Sequence, residues 1–103
     1  MTETKALTLT EFLAARIDED EGRAQKAQRY AGSELWVMGP MRVLAECAAK
    51  RRIMEDFEEY ASDYRAAPSD FAAGRRHAAL LALTRVAAVY ADHPDYQTEW
   101  RIA

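Results

Sequence analysis

Proline has no amide hydrogen and its ring collides with the preceding turn. A helical chain tolerates it at a helix start, beyond a helix end, or outside helices. The prolines of this chain stand at 40, 68 and 94, and the segments between them carry apolar residues at the spacing of one-sided helices. The first segment opens at Thr8-Leu-Thr-Glu11, a capping box in which Thr8 and Glu11 each satisfy the other's amide, with Leu7 and Phe12 placed as a hydrophobic staple. Leu9, Phe12, Leu13 and Ile17 continue at helical spacing. Only small residues follow on that face, Ala24, Ala27 and Ala31, before Gly32-Ser33 ends the segment.

Gly39-Pro40 puts proline at the first position of a second helix running through Val43, Leu44, Cys47, Met54, Phe57, Tyr60 and Tyr64. Ala66-Ala-Pro68 breaks it, and Ser69 or Asp70 caps a third helix carrying Phe71, Leu80, Leu81, Leu83, Val86, Val89 and Tyr90. Pro94 stops that one, since the residue before proline avoids the helical region. Leu35-Trp-Val-Met38, between the first two helices, reads as loop. The expected fold is all-α: an antiparallel three-helix up-down-up bundle with helices at about 8–31, 40–64 and 69–92 and a C-terminal tail packed over one end. At this length residues 1–103 form a single domain.

Half of the residues are apolar, but twenty-one are alanine, which favours helix and buries little side chain. A core that thin is completed by a partner helix, so a homo-oligomer is expected. A net charge of −3 with the signs interspersed gives no electrostatic ground for nucleic acid or an anionic membrane, and a protein partner is favoured instead. The single cysteine, Cys47, excludes an intramolecular disulfide and a cysteine-rich zinc site and suits a reducing cytoplasm. No basic leader and no run of ~18 apolar residues is present, so a cytoplasmic protein is expected.

Two basic runs, Lys50-Arg51-Arg52 and Arg75-Arg76-His77, suggest phosphate contact. Bundle geometry offers another account. If the first two helices fold back about residue 35, positions summing to about 70 lie side by side, which sets residues 18–21, all acidic, along Lys50 to Arg52. The same construction about residue 66 sets Arg75 and Arg76 beside Glu58 and Glu59. Cys47 falls on an apolar face and reads as an inert buried thiol. Asp92, His93, Asp95 and Glu99 are the nearest approach to a ligand set, but their spacing matches no zinc or calcium pattern. No catalytic residue, cofactor or metal is expected.

The closing stretch, YADHPDYQTEW at 90–100, concentrates acids, a histidine and three large aromatic residues. His93-Pro94-Asp95-Tyr96 suits a β-turn, and Asp95 suits the cap of a last helical turn that sets Tyr96 and Trp100 on one face. Tyr90 is expected beside Val43 and Trp36, so that Trp36, Met38, Tyr90, His93, Tyr96 and Trp100 are the candidate clasp or interaction residues. His93 is expected to be comfortable as a cation at the helix's negative pole.

RVLAE at 42–46, AKRRI at 49–53 and the closing YADHPDY and EW resemble a family of short, uncharacterised proteins of actinobacteria and their phages. Phe12-Leu13 and the run from Arg16 to Glu21 are similar to its opening helix. The resemblance implies an actinobacterial or phage-infected cell and brings no activity. Family members carry a longer tryptophan-containing insert where only residues 31–39 stand here. The leading expectation is a non-enzymatic protein–protein interaction module, a phage or prophage accessory protein that acts on a host protein and associates with itself. A nucleic-acid-associated regulator using Lys50, Arg51, Arg52, Arg75 and Arg76 ranks second. A small hydrolase or metal-dependent enzyme around His93 ranks third.

Overall fold

The computed structural model describes residues 7–30 and 34–101, and the side chains of all of these but 34–38. Three helices, α1 (Leu9–Tyr30), α2 (Glu34–Ala66) and α3 (Asp70–Ala87), are followed by 3₁₀ turns at Ala88–Tyr90 and Thr98–Trp100. The fold is the all-α three-helix bundle that the periodicity predicts. α2 packs against both α1 and α3, which touch each other little.

The helix starts follow from their caps. Thr8 N–H donates to Glu11 Oε1 at 3.0 Å while Glu11 N–H donates to Thr8 Oγ1 at 3.2 Å, the reciprocal pair of a capping box. Leu7 packs on the core cluster that contains Phe12, as a staple requires. At α3, Ser69 rather than Asp70 is the cap, its Oγ accepting from Ala72 N–H at 3.0 Å.

α2 departs from expectation. It begins at Glu34, so the tetrad at 35–38 is helical rather than loop, and Pro40 lies inside the helix instead of opening it. A proline so near a helix start forfeits one backbone bond, to the carbonyl of residue 36, and leaves the later turns intact. Pro40 is also partly buried opposite Ala24 and Ala27, which holds the first turns of α2 against α1.

Each helix buries one stripe. Phe12, Leu13, Ile17 and Ala24 come from α1, and Ala79, Leu83 and Ala87 from α3. Cys47, Met54 and Ala61, seven residues apart, come from α2. The helices have unequal lengths of 22, 33 and 18 residues. At ~1.5 Å per residue α2 is ~50 Å long and α3 only ~27 Å. Running back along α2 from Asp70, α3 is exhausted before it reaches the α1–α2 connection, and Tyr90, just beyond it, meets Lys50. The end of α1 and the first turns of α2 therefore project as a two-helix finger, with no third helix beside it among the described residues. The radius of gyration, 16.6 Å, exceeds the ~13 Å of a compact chain of this size for that reason.

Candidate functional site

The closing stretch is a clasp on α1, placed differently from expectation. Tyr90 and Val43 both pack on the core cluster. The Tyr90 hydroxyl donates to Asp20 Oδ2 at 2.7 Å and accepts from Lys50 Nζ at 3.0 Å. From there the chain turns back towards the start of α1. His93 Nε2 is hydrogen-bonded by the Arg16 guanidinium, the Tyr96 ring stands 5.9 Å from the Phe12 ring, and Gln97 Nε2 donates to Leu7 carbonyl oxygen at 3.2 Å. Because α3 stops short, the tail leaves from the middle of the bundle rather than its end. The side chains of Trp36 and Met38 lie outside the described residues.

The register has a geometric origin. His93 N–H donates to Tyr90 carbonyl oxygen at 2.9 Å and Tyr96 N–H to His93 carbonyl oxygen at 3.0 Å, so the tail advances by three-residue turns. If each such turn advances about as a 3₁₀ turn does, at ~2.0 Å per residue, three residues cover ~6 Å, as four residues of α-helix do at ~1.5 Å. Tyr90, His93 and Tyr96 thus meet Asp20, Arg16 and Phe12 in step. Sequence reading finds the tail aromatics and misses the other half of the ladder, Phe12, Arg16 and Asp20, although their spacing of four marks one helix face.

Phe12, with no exposure, is the hub. The rings of Tyr90, His93, Tyr96 and Trp100 have centroids 6.3, 5.6, 5.9 and 5.0 Å from its own. Tyr96 and Trp100 meet edge to face at 5.5 Å, as expected, but through a 3₁₀ turn with no side-chain cap, so Asp95 does not cap it. Arg16, 7% exposed, bonds Glu19 at 3.0 Å and lies 5.3 Å from the Phe12 centroid, while its Nε and the Tyr96 hydroxyl are buried without a hydrogen-bond partner. His93 Nδ1 accepts Asp95 N–H at 3.0 Å and its Nε2 lies against the Arg16 guanidinium, so both ring nitrogens have polar neighbours within the fold. Asp92, His93, Asp95 and Glu99 do not converge: among the described residues no three His, Cys, Asp or Glu side chains gather as metal ligands.

The electrostatics of the seam follow from burial and pairing. Burial pushes the Tyr90 phenol up. Burial opposes the charge on Lys50, yet its bond to Tyr90 and nearby Asp20 leave its pKa raised. Cys47, 1% exposed, has its thiol pushed up by burial, the condition of an unreactive cysteine.

The basic runs separate in space. Arg51 pairs with Asp18 and Glu21, each at 2.5 Å, the fold-back neighbours that residue numbers summing to about 70 predict. The Arg51 bond holds the Glu21 carboxyl below its ordinary value. Arg52 pairs along its own helix with Asp56 at 3.5 Å. Arg75 and Arg76 form no ion pair with Glu58 or Glu59, although Glu59 is near enough to act on the charge of Arg75: Arg75 lies 4.0 Å from the Tyr60 ring centroid and Arg76 5.6 Å from that of Tyr64. Long guanidinium side chains on α3 reach the flat rings of α2 first. Each of the five basic residues thus has a neighbour of its own within the fold, Lys50 that of Tyr90.

Two concavities flank these contacts. The finger carries an open groove of about 290 Å³ lined by Asp20, Arg23, Ala24, Ala27, Pro40 and Val43. The α2–α3 corner holds a cavity of about 320 Å³ bordered by Tyr60, Asp63, Phe71 and Arg75. Among the described residues no helix is long and apolar enough to cross a membrane. Residues 7–102 match a family described as "Family of unknown function (DUF6221)". No curated protein and no solved structure matches the chain.

Proposed function

The chain belongs to the DUF6221 family, whose function is unknown, and we infer that it serves as a non-enzymatic protein–protein interaction module that associates with itself and docks on a host protein. The observation that carries this reading is the finger. Where α3 runs out, Ala24, Ala27, Pro40 and Val43, with Asp20 and Arg23, line a groove that no helix among the described residues covers, while Met41 on the same stretch of α2 is 56% exposed and Val89 just beyond α3 69% exposed. Apolar surface gathered where a layer is missing is what a partner helix covers, and a second copy presents the same groove for a two-fold interface. The setting is the cytoplasm of an actinobacterium or of a phage-infected cell, and the protein is an accessory protein of a phage or prophage. That part rests on the resemblance of the blocks at 42–46, 49–53 and 90–100.

Light scattering across a concentration series tests the reading. Mass should rise above the 11.7 kDa of one chain with concentration. Ala27→Glu, at an exposed groove position, should keep the helical spectrum and hold the protein monomeric. A monomer at every concentration would rule out self-association.

A further inference from the structure

Arg75 and Arg76 are stacked rather than ion-paired. Arg75 sits over Tyr60 and also 5.6 Å from the Phe71 centroid, and Asp63 and Glu59 are near enough to act on its charge. Among the described residues, neither arginine has a carboxylate within the 4.0 Å of an ion pair. Arg75 is also hydrogen-bonded to the Tyr60 phenol, but a guanidinium carries five N–H donors, and those that remain match a carboxylate. Next to it is the corner cavity, floored by alanines at 66, 67 and 72 and walled by Tyr60 and Phe71. Phe71 is 74% exposed, so it contributes little to the core, and an exposed aromatic beside an apolar hollow and an arginine is the composition of an interface hot spot.

We propose that this corner binds a protein segment in which a bulky apolar side chain adjoins an acidic residue. The apolar side chain enters the cavity against Phe71 and Tyr60, and the carboxylate takes the remaining N–H groups of Arg75, with Arg76 one position on. A nucleic-acid strand fits less well, because it would draw a row of phosphates past the exposed carboxylates of Glu59, Asp63 and Asp70, whereas the segment brings a single carboxylate to the two cations Arg75 and Arg76. The site lies at the opposite end of α2 from the finger groove. It extends the reading of the chain as an interaction module, and the two stand or fall separately.

The test is titration of the ¹⁵N-labelled full chain with a capped Gly-Glu-Trp-Gly peptide, a Gly-Lys-Trp-Gly control and oligothymidine. Saturable shifts should appear at the amides of Ala67, Phe71, Ala72 and Arg75 with the acidic peptide. Arg75→Ala and Phe71→Ala, both at exposed positions, should each weaken binding about tenfold with an unchanged helical spectrum. The basic control should bind more weakly by a similar factor. An absence of shifts at the corner, equal binding of the basic peptide, or shifts with oligothymidine alone would each overturn the proposal. A monomeric protein that binds the acidic peptide would remove self-association and leave this site standing.

Discussion

Replacing Phe12 by alanine should do more damage than any other single truncation along the tail seam. Its ring has no exposure and is surrounded by four others, from Tyr90, His93, Tyr96 and Trp100. Truncating a buried phenylalanine costs about 3–5 kcal/mol, a large part of the roughly 5–15 kcal/mol that holds a domain folded. At roughly 4–8 °C per kcal/mol for a domain of this size, a loss of about 4 kcal/mol lowers the Tm by some 15–30 °C. Two of the four rings belong to residues beyond Pro94, so deleting 94–103 should itself lower the Tm by several degrees and should reduce the cost of Phe12→Ala. Each aromatic pair contributes about 0.5–1.5 kcal/mol, which sets the expected coupling at about 1–2 kcal/mol. Urea unfolding of the parent, each single variant and the double variant, followed by far-ultraviolet circular dichroism, measures that coupling. A loss below about 1 kcal/mol, or the same loss with and without the tail, would refute the hub.

Arg51→Ala should cost only about 0.5 kcal/mol at neutral pH, since its pairs with Asp18 and Glu21 are partly solvent-screened. Its clearer mark should be on the acid limb. Glu21 is held below its ordinary value, so its contribution is present above the unfolded pKa of ~4.3, is lost as pH falls through the lower folded value, and should vanish from the Tm–pH curve of the variant. At alkaline pH the sign reverses. Tyr90, Lys50 and Cys47 are all raised in the folded chain, so their contributions are full below their ordinary values, ~8.5 for the thiol and ~10 for the phenol and the ammonium, and are lost as pH climbs past those values. Tyr90→Phe should cost about 1–2 kcal/mol at neutral pH by stripping Asp20 and Lys50 of their shared hydroxyl, and should shallow the alkaline fall measured by thermal melts. Pro40→Ala should raise the Tm by restoring the amide that the carbonyl of residue 36 lacks. A fall instead would mean that the ring's packing near Ala24 and Ala27 outweighs the bond.

Local chemistry is what the sequence displays best. Thr8, Glu11 and Ser69 announce their helix starts because a cap is made by residues within three positions of one another. The pairing of Arg51 with Asp18 and Glu21 is legible too, since a hairpin of two helices converts residue numbers directly into height. Pro40 misleads because a helix boundary is a sum of terms, and one missing bond near an end is small beside a packed turn. Arg16 misleads because a charge on an apolar stripe is assigned to solvent. Only the tail, nearly eighty positions away in sequence, supplies the histidine and the aromatic rings that cover it. The direction of the tail was hidden in the length of α3, which a short run of apolar residues fixes only to within a turn.

The match of three tail residues to four helix residues has a consequence for which changes the protein tolerates. Between positions 90 and 96 the tail behaves as a ruler. Substituting one mark removes only that residue's contacts, with Asp20, Arg16 or the Phe12 ring, and leaves the others in register. Deleting or inserting one residue shifts every later rung out of phase, carrying Tyr96 and Trp100 off Phe12 while leaving their chemistry untouched. In this segment the count of residues is as much a part of the fold as their identity.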